Sequence, residues 1–98
     1  MIEITDKSEP LEILSKTVID FYSNSCGPCR KMMPVLEELE KEFSNVKFYK
    51  VNAVENPELV KQFKVIGLPT IVVTDGGIRV QKFIGLTPKS MLVEVIGE

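Results

Sequence analysis

The sequence predicts an α/β domain in which helices cover both faces of a central mixed β-sheet. Short runs of β-forming residues alternate with helix-length amphipathic segments, in the order β-α-β-α-β-α-β-β-α. The early crossovers through helices predict parallel strand pairing, whereas a tight turn near the C-terminus predicts an antiparallel hairpin. The 98 residues fit a single domain over residues 1–98, and the apolar fraction of 44% is sufficient for a packed core.

The N-terminal part is predicted to hold an edge strand, a short helix and a buried strand. Ile2 and Ile4 are expected on the edge strand, and Ser8-Glu9-Pro10 is expected to open the helix. The run Thr17–Tyr22 consists of β-forming residues and is apolar almost throughout, with one charge at Asp20. Such a run is typical of a strand that is covered on both faces.

The middle of the chain is predicted to form two helices separated by a strand. Residues 29–43 should be helical, because their apolar side chains recur on one stripe at about 100° per residue: Cys29, Met32, Leu36, Leu39 and Phe43. Pro34 removes a backbone donor inside this helix, so we expect a kink there. A strand is predicted at residues 46–52. Asn56-Pro57-Glu58 then predicts a helix start with Asn56 as the N-cap, and that helix should end near Phe63.

The C-terminal part is predicted to be a hairpin followed by a helix. Gly67-Leu68-Pro69 interrupts the pattern before a β-branched strand at residues 70–74. Asp75-Gly76-Gly77 predicts the turn, because Gly and Asp tolerate positive φ, and Arg79–Ile84 is the partner strand. Thr87-Pro88 opens the last helix, whose predicted apolar face consists of Met91, Leu92, Val95 and Ile96.

Composition argues against several classes of function. The 12 Lys and Arg residues against 14 Asp and Glu give a net charge of −2 without a basic block, so we expect no nucleic-acid partner and no membrane partner. No apolar run approaches the ~20 residues that span a bilayer. The N-terminus lacks the apolar region of a signal peptide, so we expect a cytoplasmic location. Nothing indicates an obligate oligomer, and a monomer is expected.

The cysteine and histidine counts narrow the chemistry further. Two Cys and no His are too few ligands for a structural zinc site, and they exclude a Cys-His nucleophilic dyad. No dinucleotide-binding or P-loop pattern occurs. We therefore expect no metal and no bound cofactor, and the remaining chemical motif is Cys26-Gly27-Pro28-Cys29.

The two cysteines lie at a predicted junction between a loop and a helix. Cys26 falls at the first turn, where free N–H groups and the helix dipole favour a thiolate. Cys29 lies one turn later, at the edge of the buried stripe. This asymmetry predicts that Cys26 is the exposed nucleophile and Cys29 the shielded resolving thiol. A purely structural disulfide is one alternative, but a loop of about four residues restricts the unfolded chain by only ~2 kcal/mol. Two idle thiols are the other.

Three segments resemble the thioredoxin family in their order and spacing. They are Val18-Ile19-Asp20-Phe21-Tyr22, Cys26-Gly27-Pro28-Cys29-Arg30 and Gly67-Leu68-Pro69-Thr70. The resemblance runs from Thr17 to the C-terminus and implies a thioredoxin-like fold. It implies a protein-disulfide reductase that works by dithiol–disulfide exchange on disulfide-containing substrate proteins. It also implies a separate thioredoxin reductase-like flavoprotein that reduces the chain again.

The resemblance assigns roles to further residues. It implies a cis peptide between Leu68 and Pro69, packed against the disulfide, which exposes the Leu68 backbone to a substrate segment that pairs as a strand. It implies that Asp20 lies behind the second cysteine and assists its deprotonation, with Lys50 as the partner of Asp20. The alternative for Asp20 and Lys50 is an ordinary buried ion pair without a kinetic role.

The expected contact surface departs from the family pattern. Ser25 stands where most thioredoxins carry Trp, Tyr22 replaces another common Trp, and Val54 stands where many relatives carry Asp. These departures bear on which protein partners are recognised. The residues expected to contact substrate are Ser25, Gly27, Pro28, Leu68, Pro69 and Gly85, with Leu86 beside them.

Two other functions remain open from the sequence. The first is a glutaredoxin-like protein that is reduced by glutathione, although Gly27-Pro28 stands where glutaredoxins usually carry Pro-Tyr. The second is a thioredoxin-fold binding subunit in which the redox pair is dispensable. An oxidase or isomerase is disfavoured, because those relatives usually carry His between the cysteines.

Overall fold

The computed structural model describes residues 1–8, 15–76 and 79–97. The elements in chain order are β1 (Ile2–Glu3), β2 (Thr17–Tyr22), α1 (Gly27–Glu42), β3 (Lys47–Asn52), α2 (Pro57–Gln62), β4 (Thr70–Asp75), β5 (Arg79–Ile84) and α3 (Lys89–Ile96). The predicted order of elements is confirmed except for the helix expected at Ser8-Glu9-Pro10. Ser8 is described, but Glu9, Pro10 and the residues up to 14 lie outside the described residues, so that helix stays a prediction.

The strands form one five-stranded mixed sheet in the spatial order β1-β3-β2-β4-β5. β3 pairs in parallel with both β1 and β2, whereas β4 pairs antiparallel with both β2 and β5. The prediction of early parallel pairing and a late antiparallel hairpin is therefore confirmed. In the register, Asp20 of β2 lies between Lys50 of β3 and Ile71 of β4.

Buried apolar side chains cover both faces of the sheet in the described part of the chain. On one face, Val18, Phe48 and Ile71 pack with residues of α1 and α3, among them Leu36, Leu39, Leu92 and Ile96. We call this the α1 face. On the opposite face, Ile19, Phe21, Val51 and Val72 pack with the α2 segment through Leu59, Val60 and Phe63. The predicted coverage of β2 is confirmed, because its first five residues are buried.

Helix α1 begins two residues earlier than predicted, at Gly27, because Cys26 is its N-cap residue. Phe43 is the C-cap residue rather than the last helical residue. Pro34 lies inside the helix as expected, and a kink at that position stays a prediction. The early start places Cys26 at the N-cap and Cys29 within the first turn of α1.

The expected capping of α2 is wrong in one respect. Asn56 stands at the N-cap, but its side chain makes no capping hydrogen bond. The carboxylate of Asp6 caps the helix instead, accepting from the backbone N–H of Glu58 at 3.1 Å and of Leu59 at 2.9 Å. Asn56 Oδ1 accepts from the Asp6 N–H at 2.9 Å. The segment after β1 is thereby fixed to the start of α2.

Two smaller predictions also change. Ile4 lies just beyond β1, where it is buried and donates its N–H to Lys50 O at 3.0 Å. Met91 was expected on the apolar face of α3 but is 47% exposed, whereas Leu92 and Ile96 are buried. Across residues 1–8, 15–76 and 79–97, no helix has the length and hydropathy needed to cross a bilayer.

Candidate active site

Four loops meet at one edge of the sheet, and the topology explains why. Tyr22 at the end of β2 lies beside Asn52 at the end of β3, because these strands are parallel. Antiparallel β4 begins at the same edge, since Thr70 lies beside both Phe21 of β2 and Ile84 of β5. The residues that follow β2, β3 and β5 therefore emerge together with those that precede β4. These loops carry Cys26, Val54, Leu68, Pro69 and Gly85.

Cys26 and Cys29 form a disulfide at the start of α1, with a Cα–Cα distance of 5.2 Å. The N–H of Cys29 donates to Cys26 Sγ at 3.2 Å, so the sulfur of the N-cap residue takes the place of a capping oxygen. Cys29 is only 2% exposed, whereas Cys26 is half-buried. Cys29 is thus the more buried of the two residues, and the assignment of Cys26 as the nucleophile stays a prediction.

The start of α1 is electropositive. The first turn contains no acidic residue, and Arg30 and Lys31 follow Cys29 directly. The partial positive charge at the helix N-terminus acts on the Cys26 sulfur in the same direction as these cations. Gly27 and Pro28 are both exposed, so the Cys26 side of the disulfide faces solvent. This arrangement suits a sulfur that reacts as an anion.

Asp20 is a buried carboxylate without a local partner. It has no exposed surface, and neither carboxylate oxygen has a hydrogen-bond partner in the described part of the chain. Burial raises its pKa from 3.8 to about 7, and the positive charge of Lys50 offsets part of that increase. Asp20 lies two residues after Val18 on β2, so its side chain projects to the same side of the sheet, the α1 face. Helix α1, which carries Cys29, covers that face.

Lys50 lies beside Asp20 in the register of β2 and β3, but no hydrogen bond joins the two side chains. The structure thus brings the predicted pair together as neighbours rather than as a contact ion pair. An open groove of about 450 Å³ borders the start of α1, and Cys29 is part of its wall. The other lining residues are Tyr22, Ser23, Asn24, Arg30, Met33, Pro34 and Glu37.

The peptide bond between Leu68 and Pro69 is cis, as the resemblance implied. Pro69 is buried, and its carbonyl accepts from the N–H of Gly85 at 2.8 Å. Gly85 has a φ of 85°, a region that favours glycine. No backbone hydrogen bond uses Leu68 within the described residues, so its N–H and C=O are free to pair with another chain. Leu68, Pro69 and Gly85 are therefore brought together.

Exposed apolar side chains surround this loop, and two of them, Ile66 and Ile84, are not part of the contact surface predicted from the sequence. Ile66 is 87% exposed, and Ile84 and Leu86 on either side of Gly85 are each 56% exposed. The Ile84 side chain packs closely against Gly67: a Cβ added at Gly67 would lie only 3.2 Å from Ile84 Cγ2. The loop before β4 and the end of β5 are therefore in contact. Ser25 and Val54 line a smaller, more polar hollow of about 230 Å³ after β2 and β3. A lone Ile in a loop gives no periodic signal, so sequence reasoning could not find Ile66.

Comparisons with known proteins agree with this geometry. A family model described as Thioredoxin matches residues 3–98. The chain is 36% identical over 95 residues to Thioredoxin 1 of Synechococcus elongatus, covering 96% of this chain and 89% of that protein. It is 34% identical over 101 residues to a bifunctional thioredoxin reductase/thioredoxin of Mycobacterium leprae, covering 99% of this chain and 22% of that protein.

A solved structure extends the agreement to the whole fold. The crystal structure of chloroplastic thioredoxin z superposes with a TM-score of 0.86 at 28% identity, covering 98% of this chain and 90% of that one. The matched family, the mixed sheet and the disulfide at the N-terminus of α1 all indicate the same chemistry. The chain therefore belongs to the thioredoxin family of thiol-disulfide oxidoreductases.

Proposed function

We propose that Cys26 is the attacking thiolate and Cys29 the resolving thiol in the reduction of protein disulfides. The observation that carries this assignment is the contrast between a half-buried Cys26 at the helix N-cap and a Cys29 that is 2% exposed. The Cys26 thiolate attacks one sulfur of a substrate disulfide, which releases one substrate thiolate and leaves a mixed disulfide. Cys29, once deprotonated, attacks Cys26 Sγ, releases the second substrate thiolate and closes the Cys26–Cys29 bond.

Asp20 is proposed as the group that accepts the proton of Cys29. A buried thiol does not ionise readily, because burial disfavours the thiolate. A carboxylate whose pKa is about 7 can exchange a proton near neutral pH, where an ordinary aspartate would be a weak base. Lys50 supports this role, because its charge keeps the pKa of Asp20 from rising further.

The docking site is proposed to use the backbone of Leu68. Its free N–H and C=O can pair with an extended substrate segment, which places the substrate cysteine beside Cys26. Ser25, Gly27, Pro28, Pro69 and Gly85 are proposed to complete the contact surface, with the last two fixing the loop.

Re-reduction is proposed to come from a thioredoxin reductase-like flavoprotein. The chain carries no fingerprint for a nicotinamide or flavin, so we expect its electrons to come from an external donor. The Mycobacterium leprae relative supports this, because its name joins a thioredoxin reductase to a thioredoxin. We propose that the chain acts as a monomer in the cytoplasm, without nucleic acid or membrane as a partner.

The reduction potential of the Cys26–Cys29 pair tests the proposed direction of electron flow. The protein is equilibrated in graded dithiol buffers, alkylated, and its free thiols are counted by mass spectrometry, since the chain contains no Trp. For a two-electron couple, about 30 mV is a tenfold change in equilibrium constant. A potential well below the glutathione couple supports a reductant supplied by a dedicated reductase. A potential near or above it would favour a glutathione-coupled or oxidising role instead.

A further inference from the structure

One side-chain hydrogen bond crosses a whole strand of the sheet. The hydroxyl of Tyr22, the last residue of β2, donates to Glu3 Oε2, the last residue of β1. β3 lies between these two strands. Neighbouring strands are about 4.8 Å apart, so the bond joins strands that are roughly 10 Å apart. In the register, Glu3 lies beside Lys50 and Tyr22 lies beside Asn52, so the Tyr22 ring crosses β3 between those two residues.

The crossing ring lies on the face that carries Asp20. Tyr22 and Asp20 are two residues apart on β2, so their side chains project on the same side of the sheet. Parallel register places Glu3, Lys50 and Asp20 in one row on that face, across β1, β3 and β2. Tyr22 is half-buried and lines the groove together with Cys29, whereas Asp20 behind it has no exposed surface. Tyr22 therefore lies on the α1 face beyond Asp20, at the end of β2 that borders the groove.

The charged and titratable groups around Asp20 come from several elements. Lys50 on β3 is the charge that acts directly on the Asp20 carboxyl. Burial, the hydrogen bond to Glu3 and the charges of Glu3, Glu55 and Asp20 raise the pKa of Tyr22 to about 12, so its hydroxyl remains a donor. β4 presents Ile71, which does not titrate. The groups of α1 that line the same groove are Cys29, Arg30 and Glu37.

We propose that the Tyr22–Glu3 hydrogen bond is a positioning device that holds the Tyr22 ring across β3 and keeps water away from Asp20. Tyr22 and Glu3 then set the pH range in which Asp20 can take the proton of Cys29. This inference rests on the proposed role of Asp20 as the proton acceptor. It adds two positioning residues to the reaction, neither of which touches the reacting sulfurs.

The physical consequence of losing the tether has a definite sign. Desolvation is the largest cause of the raised pKa of Asp20. A ring that is free to swing from the sheet admits water to the carboxylate, and water stabilises the anion. The pKa of Asp20 should then move down from about 7 toward its ordinary value of 3.8. We expect this decrease from the loss of the hydrogen bond and not from the loss of the Glu3 charge, because the causes that act on the pKa of Asp20 are burial and the charge of Lys50.

The direct test is a pH titration of the Asp20 carboxyl carbon by NMR in the disulfide form, with ¹³C-labelled aspartate. Tyr22→Phe removes only the hydroxyl and should lower the titration midpoint by ~0.5 pH unit or more, about a threefold change in the ratio of anion to acid. Glu3→Ala, which removes the acceptor, should give the same decrease. Glu3→Gln keeps an acceptor oxygen and should restore the midpoint to within ~0.2 pH unit.

The control variant is Tyr49→Phe. Tyr49 lies on β3 but packs on the opposite face of the sheet, against the cluster that contains Phe21 and Val51. Its change should leave the midpoint of Asp20 in place. Thermal unfolding of each variant shows whether the fold is retained. An unchanged midpoint in Tyr22→Phe and Glu3→Ala would overturn the inference, and so would a shift of equal size in Glu3→Gln.

A kinetic measurement separates failure of this inference from failure of the proposed role of Asp20. Reduced protein is mixed with glutathione disulfide, quenched by acid, and the decay of the mixed disulfide on Cys26 is followed by mass spectrometry from pH 5 to 9. If Asp20→Asn leaves that decay unchanged, the role of Asp20 is wrong and the inference falls with it. If Asp20→Asn slows the decay but Tyr22→Phe leaves the pH profile in place, only the positioning role is refuted.

Discussion

The buried carboxylate of Asp20 should make the protein less stable as the pH rises. In the unfolded chain Asp20 ionises near 3.8, whereas in the folded chain it holds its proton until about pH 7. Between these values the folded state binds one more proton than the unfolded state, so the free energy of unfolding decreases with pH. About three pKa units correspond to ~4 kcal/mol, all of which is lost once the pH exceeds the folded pKa.

Asp20→Asn removes the charge but keeps the size and polarity of the side chain. Its free energy of unfolding should match that of the parent chain near pH 4, to within ~1 kcal/mol, because both side chains are then neutral in the folded state and Asp20 of the unfolded chain is only about half ionised. At pH 8 the variant should be more stable by ~4 kcal/mol. All other carboxylates titrate in both proteins, so their contributions cancel in the difference.

Urea unfolding of the disulfide forms at five pH values from about 4 to 8 measures this difference. With a slope of about 1–3 kcal/mol per M, the midpoint of Asp20→Asn should exceed that of the parent by more than about 1 M at pH 8. Asp75→Asn is the matched control, because Asp75 is an exposed carboxylate at the end of β4. A difference for Asp20→Asn that is constant from pH 4 to pH 8 would show that folding does not raise the pKa of Asp20.

Two further predictions concern a helix cap and the exposed loop. Asp6→Ala removes the carboxylate that accepts hydrogen bonds from two backbone N–H groups of α2. It should lower the free energy of unfolding, measured by urea titration, by about 1 kcal/mol. An unchanged urea midpoint would show that water replaces the cap without loss of stability. Ile66→Ser alters a side chain that is 87% exposed, and should leave stability within about 0.5 kcal/mol. Its kcat/KM for insulin reduction should fall several-fold while its rate with glutathione disulfide is unchanged, and an equal decrease with both substrates would contradict a docking role.

The sequence predicts most of the fold because its strongest signals are local. The continuous apolar run of β2 indicates burial on both faces, and the first five residues of the strand are buried. The stripe at helical spacing indicates α1, and four of its members are buried: Cys29, Met32, Leu36 and Leu39. The Asp-Gly turn signal indicates the hairpin, and Gly76 adopts a positive φ of 63°.

The errors arise where a distant residue replaces a local one. Asn56 has the sequence of an N-cap, but Asp6, 50 residues away along the chain, lies close enough to take that role and to occupy the Asn56 side chain. Met91 fits the helical spacing of apolar residues in α3, but Leu92 and Ile96 are the residues of that helix that are buried in the core, and Met91 is exposed. Residue propensities reflect only neighbours along the sequence. The cap of α2 and the exposure of Met91 depend instead on which elements meet in space.

The candidate site was predictable in its chemistry but not in its surroundings. The spacing of Cys26 and Cys29 and the helix start between them predict which sulfur is shielded, and the burial of Cys29 agrees. The hydrogen bond between Tyr22 and Glu3 was not predictable, because it depends on β3 lying between β1 and β2. The strand order comes from the packing of the whole sheet and not from either residue.

The most direct test of Cys26 as the attacking residue compares Cys29→Ser with Cys26→Ser as traps for a disulfide substrate. Each reduced variant is mixed with insulin at equal concentration, quenched with an alkylating reagent, and analysed for covalent adducts by mass spectrometry without reductant. The structure predicts a long-lived adduct on Cys26 in Cys29→Ser, because the attacking sulfur is accessible and the resolving thiol is gone. Cys26→Ser should form almost none, because Cys29 is 2% exposed. Equal trapping by the two variants, or trapping by Cys26→Ser alone, would show that Cys26 is not the attacking residue.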